Sequence, residues 1–264
     1  MRIEQPYEFR EFLDRIHLSD RRNEEVKKVQ ENETFIDASW VIRVPEDATE
    51  GLLRAASDMQ DYFFVSMKIS LPLVKSYEAG NKEIFLTEMA KKGDTPSEVC
   101  NDSRAYFYTC NEKSVIVEGD SWIGTAQGVY YIEDLMNLRQ IPALERCKQI
   151  RRAPYFAPRM THSGYGLDQF PDNHLAGIAH AGFDSIIVML TAPDKTRQGP
   201  IDVNTLIRRA AKFGLGTTQI VLQRTRFLLT IIIVKKPLSL RLVRRKVIPC
   251  MNVIIVVTRT TQIL

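Results

Sequence analysis

The run DSIIVML at residues 184–190 is apolar on both of the faces that a strand presents. Side chains alternate across a strand, so a run of this kind has no face to give to water and must be covered on both sides. Helical patterns flank it. Pro171 opens a helix through Ala181 that Gly182 ends, and Asp202 or Asn204 caps a helix through Lys212 that Gly214 stops. Residues 156–161 before the run and 218–222 after it read as further strands. Strand, helix, strand, helix, strand is the order of a wound parallel sheet or a β/α barrel.

The front of the chain has another rhythm. Residues 1–33 are polar, with Phe9, Phe12, Leu13 and Ile16 at the spacing of a surface helix, and His17 reads as a surface residue. Residues 40–44 (WVIRV) read as a strand. Asp47 or Thr49 caps the helix that follows, whose buried stripe is Leu52, Ala56, Met59 and Phe63. Residues 84–86 form a short strand. Residues 104–109 and 114–118 form two more, joined as a hairpin through 110–113. A helix over residues 124–138 places Val129, Ile132 and Met136 on one face. One sheet with helices on a face buries these stripes, and the domain ends near Ile150, before the basic stretch Arg151-Arg152-Ala153-Pro154. The fold class is therefore α/β: a small α+β sandwich domain (1–150) followed by an incomplete (β/α)8 barrel (151–216).

Charge divides the chain as sharply. All 32 Asp and Glu lie at or before Asp202, whereas the last 62 residues carry 12 Lys and Arg and no acid. From Thr217 there is also no glycine; Ile, Val, Leu, Thr and Arg dominate. The apolar run at 227–234 is too short to span a bilayer, which takes about 20 residues. Acids and glycines vanish together at a helix-to-strand junction, so residues 217–264 are read as an atypical basic tail produced by a shifted reading frame. The alternative is a genuine tail with a partner-binding patch at 241–246 (RLVRRK). No secretory signal is read at the start, and Cys100, Cys110, Cys147 and Cys250 form no CxxC pair. Reduced thiols in a cytoplasmic protein, without metal or cofactor, are the expectation. His174 and His180 are six residues apart and fall on different helix faces, so they make no metal pair.

Residues 119–131 (GDSWIGTAQGVYY) and 152–159 (RAPYFAPR) carry a family resemblance. The first resembles the VxIxG strand and GxxxG[LV]Y helix of the non-catalytic α/β domain that precedes the barrel in β-hexosaminidase-like and α-glucuronidase-like glycoside hydrolases. The second is similar to the PRFxxRG motif that leads into their first barrel strand. Tyr155 stands in place of the first Arg of that motif and Met160 in place of its Gly. The resemblance implies carbohydrate hydrolysis, and it puts Arg159 where the family holds a pair of sugar hydroxyls. It also marks what is missing: residues 188–194 lack the HxxD of the hexosaminidases, and no carboxylate follows Asp202, whereas the family's catalytic pair comes after the fourth barrel strand.

Glycoside hydrolysis uses two carboxyl groups about 5–10 Å apart. Candidates in the barrel portion are Asp168, Asp172, Asp184 and Asp194, with Asp168 and Asp194 on loops that follow strands. No catalytic residue is assigned. The substrate-binding candidates are Arg159, His162, Tyr165 and Asp168, with Tyr165 as a stacking platform. The chain is thus read as the N-terminal portion of a glycosidase, inactive by itself, with a carbohydrate partner and no nucleic-acid or membrane partner. A non-enzymatic carbohydrate- or protein-binding module with a basic tail is the alternative.

Overall fold

The computed structural model describes residues 15–26, 28–89, 104–162, 169–192, 194–197, 199–225 and 228–234, with 221–225 and 228–234 as backbone alone. They divide into two compact units, one from Arg15 to Phe156 and the other from Ala157 onward.

The strands of the first unit are Glu33–Phe35 (β1), Val41–Val44 (β2), Leu73–Lys75 (β3), Glu83–Glu88 (β4), Tyr106–Cys110 (β5), Ser114–Gly119 (β6), Ala143–Glu145 (β7) and Cys147–Arg152 (β8). Its helices are Glu50–Val65 (α1) and Trp122–Arg139 (α2). The main sheet has the order β3-β2-β4-β6-β5-β8, and β1 pairs with β7 as a separate antiparallel ribbon. β3, β2, β4 and β6 run parallel, and β5 is antiparallel to both β6 and β8.

Local chemistry explains these elements. The Thr49 hydroxyl accepts from the Leu52 amide (3.2 Å) and starts α1, whose residues Leu52, Ala56, Met59 and Phe63 are all buried. Ser121 caps α2 in the same way, and Val129, Ile132 and Met136 are fully buried. The β5–β6 hairpin turns where Asn111 Oδ1 accepts from the amides of Lys113 (2.8 Å) and Ser114 (2.9 Å). Trp40, Tyr62, Phe63, Ile84 and Leu86 close one continuous core. Each such side chain contributes about 1.5–3 kcal/mol by leaving water.

Three expectations change. The domain end expected near Ile150 falls inside the edge strand β8 (Cys147–Arg152), which is paired on one side only, and the compact unit runs on to Phe156. Exposed charge is how an edge strand avoids further pairing, and that polarity hides it from a hydrophobicity reading. Of the region read as a surface helix, Phe9, Phe12 and Leu13 lie outside the described residues, and residues 15–26 and 28–32 are turns and coil. His17 is not a free surface residue: its Nε2 lies 3.2 Å from Asp58 Oδ1 and its ring meets Tyr62 edge-on at 5.6 Å.

The second unit holds Met160–His162 (β9), Asp172–His180 (α3), Ser185–Leu190 (β10), Lys195–Thr196 (β11), Gly199–Pro200 (β12), Val203–Lys212 (α4), Gly216–Thr225 (β13) and Leu228–Val234 (β14). β9, β10 and β13 are parallel neighbours, with α3 and α4 as their crossovers. The helices end at Gly182 (φ 78°) and Gly214 (φ 72°), left-handed positions that glycine fills without strain. Asp202 caps α4 by accepting from the Thr205 amide (2.9 Å). The first strand is shorter and later than the expected 156–161. β14 departs from the alternation: it returns antiparallel along β13, where a β/α barrel would supply a helix and then a parallel strand.

Candidate functional site

In a parallel sheet, ligand-binding groups collect in the loops beyond the carboxyl ends of the strands. Here those ends are His162 on β9, Leu190 on β10 and the loops that follow them.

His162 closes β9, pairs in register with Ile187 of β10, and is exposed. Tyr165 and Asp168 follow it in the chain and lie outside the described residues. The described residues resume at Gln169. There Arg209, on α4, donates from Nη1 to the Gln169 carbonyl (3.1 Å), from Nη2 to the Phe170 carbonyl (2.6 Å) and from Nε to Asp172 Oδ1 (2.6 Å). Phe170 is fully buried at a positive φ of 43°, edge-on to the His174 ring at 5.6 Å. One guanidinium therefore fixes residues 169–172 at the start of α3. Arg209 is the residue the sequence reading missed, because no local spacing links position 209 to 169–172.

Beyond β10 the chain forms the small β11–β12 hairpin. Thr191 Oγ1 donates to the Lys195 carbonyl (3.2 Å), and the Asp194 carbonyl accepts from the Ile201 amide (2.9 Å). Asp194, at a positive φ of 50°, is exposed at this end of the sheet.

Arg159 sits at the other end. Its amide donates to Asp184 Oδ2 (2.8 Å), and its carbonyl accepts from the amides of Asp184 (3.0 Å) and Ser185 (3.2 Å), where β10 begins. Its guanidinium lies over Gly182, so that a Cβ there would be 3.2 Å from Nη1. Three strand residues, about 10 Å, separate it from His162. Of the four candidate carboxylates, Asp172 is engaged by Arg209 and Asp184 holds the amino end of β10, while Asp194 alone is described at the carboxyl end. Neither unit by itself gathers three metal-ligating side chains among the described residues. No described helix is long and apolar enough to cross a membrane.

No protein-family model matches the sequence, and no curated protein is similar to it in sequence. Solved structures do share its fold. The GH20 β-N-acetylhexosaminidase of Streptomyces coelicolor A3(2) superposes with a TM-score of 0.51 at 16% identity, covering 73% of this chain and 44% of that one. A mutant β-hexosaminidase of Streptomyces plicatus in complex with its product GlcNAc gives 0.53 at 15%, covering 78% and 46%. The Flavobacterium johnsoniae chitobiase gives 0.53 at 11%, covering 73% and 32%. This chain has the mixed α/β fold of the matching part of these glycoside hydrolases and spans less than half the length of each.

Proposed function

We propose that this chain is the N-terminal portion of a carbohydrate-hydrolysing enzyme and that it binds saccharide without cleaving it. On this reading the unit that ends at Phe156 is a non-catalytic scaffold, residues 157–225 hold the first three strands and two helices of a (β/α)8 barrel, and β14, antiparallel to β13, does not continue its order. The observation that carries the reading is the parallel β9-β10-β13 ladder with a helix after each of its first two strands, in a chain whose fold neighbours are glycoside hydrolases.

The saccharide subsite is assigned to the carboxyl end of that ladder. His162 exchanges hydrogen bonds with a ring hydroxyl, Tyr165 stacks its apolar face on the sugar, and Asp168 accepts from a second hydroxyl. Arg159 braces the Gly182 turn, and it reaches the sugar only by leaving that position. Cleavage needs a proton donor and a second carboxylate about 5–10 Å away. Of the four candidate carboxylates Asp172 and Asp184 are committed elsewhere and Asp168 is taken up by the sugar hydroxyl, which leaves Asp194 without a second carboxylate among them.

Titration of the chain with N-acetylglucosamine, followed by NMR, tests the subsite; chromogenic aryl glycosides test hydrolysis. Saturable weak binding that His162→Ala and Asp168→Ala abolish, with no turnover, is the expected result. Turnover that depends on His162 would overturn the non-hydrolytic reading. Absence of binding to N-acetylglucosamine and to a panel of other hexoses would sink the subsite.

A further inference from the structure

Cys110 ends β5 and Cys147 opens β8, and the two are directly opposed across the antiparallel ladder. Opposed residues on such a pair point to the same face, with Cα atoms about 4.5–5.5 Å apart. That lies inside the roughly 4.4–6.8 Å a disulfide spans. Both thiols are free. The register slips between Tyr108 and Cys110, leaving the ladder irregular where a small approach of the two strands is needed. Access is unequal. Cys110 is 1% exposed, whereas Cys147 is half-buried on the edge strand.

We infer that Cys110 and Cys147 are a redox-active pair, closed to a cross-strand disulfide by a low-molecular-weight disulfide such as glutathione disulfide. The Cys147 thiolate attacks one sulfur of glutathione disulfide, breaking its S–S bond and releasing one glutathione thiolate. The Cys110 thiolate then attacks Cys147 Sγ, breaking the mixed disulfide and releasing the second glutathione. Two protein thiols are oxidised by two electrons, glutathione disulfide is reduced to two glutathiones, and the two thiol protons end on them. Closure clasps the edge strand β8 to β5. Burial pushes both thiols above their ordinary value; the negative charge of Cys147 raises Cys110 further, and that of Glu145 raises Cys147. Only the thiolate attacks, so the reaction is slow near neutrality and quickens as pH rises, by up to about tenfold per pH unit.

The folded full-length chain is incubated with glutathione disulfide between pH 7 and 9, alkylated, and mapped by non-reducing peptide mass spectrometry. The expected product joins the Cys110 and Cys147 peptides, and its rate rises with pH. In Cys110→Ser, Cys147 retains a stable glutathione adduct; in Cys147→Ser, Cys110 stays unmodified. The inference is overturned if wild-type Cys147 stops at the glutathione adduct. It is equally overturned if both thiols are recovered alkylated, or if the crosslink joins either one to Cys100 or Cys250.

Discussion

Arg43 and Glu83 meet across β2 and β4 as a buried two-pronged ion pair, Nε to Oε2 at 2.8 Å and Nη2 to Oε1 at 2.9 Å. The guanidinium also donates to the Ser76 carbonyl (3.1 Å) and stacks over Phe85, 3.6 Å from the ring centroid. Glu83 Oε2 takes a further bond from the Gly80 amide (2.8 Å). A buried pair satisfied this fully is costly to break, because the surviving charge stays in the core. Glu83→Gln is expected to lose about 3–5 kcal/mol in urea unfolding. Burial opposes ionisation of Glu83, but the Arg43 and Gly80 bonds outweigh it and hold the carboxyl below its ordinary 4.5. The folded value is thus lower than the unfolded one. The stabilisation is present above about pH 4.5 and drains away as pH falls through the folded value. The wild-type urea midpoint should therefore fall more steeply on acidification than that of Glu83→Gln.

Glu133 works in the opposite sense. Its backbone carbonyl accepts from the Tyr62 hydroxyl (3.0 Å), which ties α2 to α1, while its side chain is buried. Burial first, then the negative charges of Asp58 and Asp134, push its carboxyl well above the ordinary 4.5. Between the unfolded and folded values the unfolded chain ionises more readily, so stability falls as pH rises through that window. Glu133→Gln removes the effect. Its urea midpoint should match wild type near pH 4 and exceed it at pH 7, with the gap opening in between. A wild-type midpoint equal or higher at pH 7 contradicts this.

Two helical glycines should respond to alanine with opposite signs. At Gly128 on α2 a Cβ would fall 2.3 Å from Val117 Cγ1 and 3.0 Å from the Tyr106 ring. Val117 is fully buried in the sheet and has nowhere to retreat. Overpacking of about 1–3 kcal/mol then exceeds the roughly 1 kcal/mol of helix propensity gained. At Gly177 on α3 nothing lies within 4 Å, so alanine keeps its gain of about 0.5–1 kcal/mol. Thermal unfolding checks both: a lower midpoint for Gly128→Ala and a higher one for Gly177→Ala.

These contacts show where the sequence was readable. Periodicity disclosed α1 through Leu52, Ala56, Met59 and Phe63, and it disclosed α2, because a buried stripe repeats at a fixed spacing; β10 was legible as a strand, but only its Ile186, Val188 and Leu190 face is buried, whereas Ile187 is half-buried and Met189 exposed, contrary to the expected cover on both sides. Gly182 and Gly214 marked helix ends for a backbone reason that any sequence reveals. β8 stayed hidden because an edge strand is polar, and Glu133 because a charge in a helix reads as solvent-facing. At the candidate site, His162 was legible as the end of a strand. That Arg159 stands at the amino end of β9 follows from its pairing with Asp184 and Ser185, a long-range register that no local motif encodes.

Arg209 offers the sharpest link between packing and the proposed subsite. It holds Gln169, Phe170 and Asp172 at once, immediately after Tyr165 and Asp168 in the chain. Hydrogen bonds from a charged donor contribute about 1.5–3 kcal/mol when sheltered. The Asp172 carboxylate is 56% exposed, so its share is small and the two carbonyl bonds carry most of the effect. Arg209→Ala is expected to lose about 2 kcal/mol in thermal or urea unfolding. Arg209→Lys should recover only part of it, since one ammonium cannot span three acceptors that a planar guanidinium reaches together. If Tyr165 and Asp168 form the saccharide subsite, Arg209→Ala also weakens N-acetylglucosamine binding several-fold at a temperature where the protein remains folded. Unchanged affinity in a destabilised Arg209→Ala would separate the two roles, leaving Arg209 as a clamp on α3 and moving the saccharide contact away from Tyr165 and Asp168.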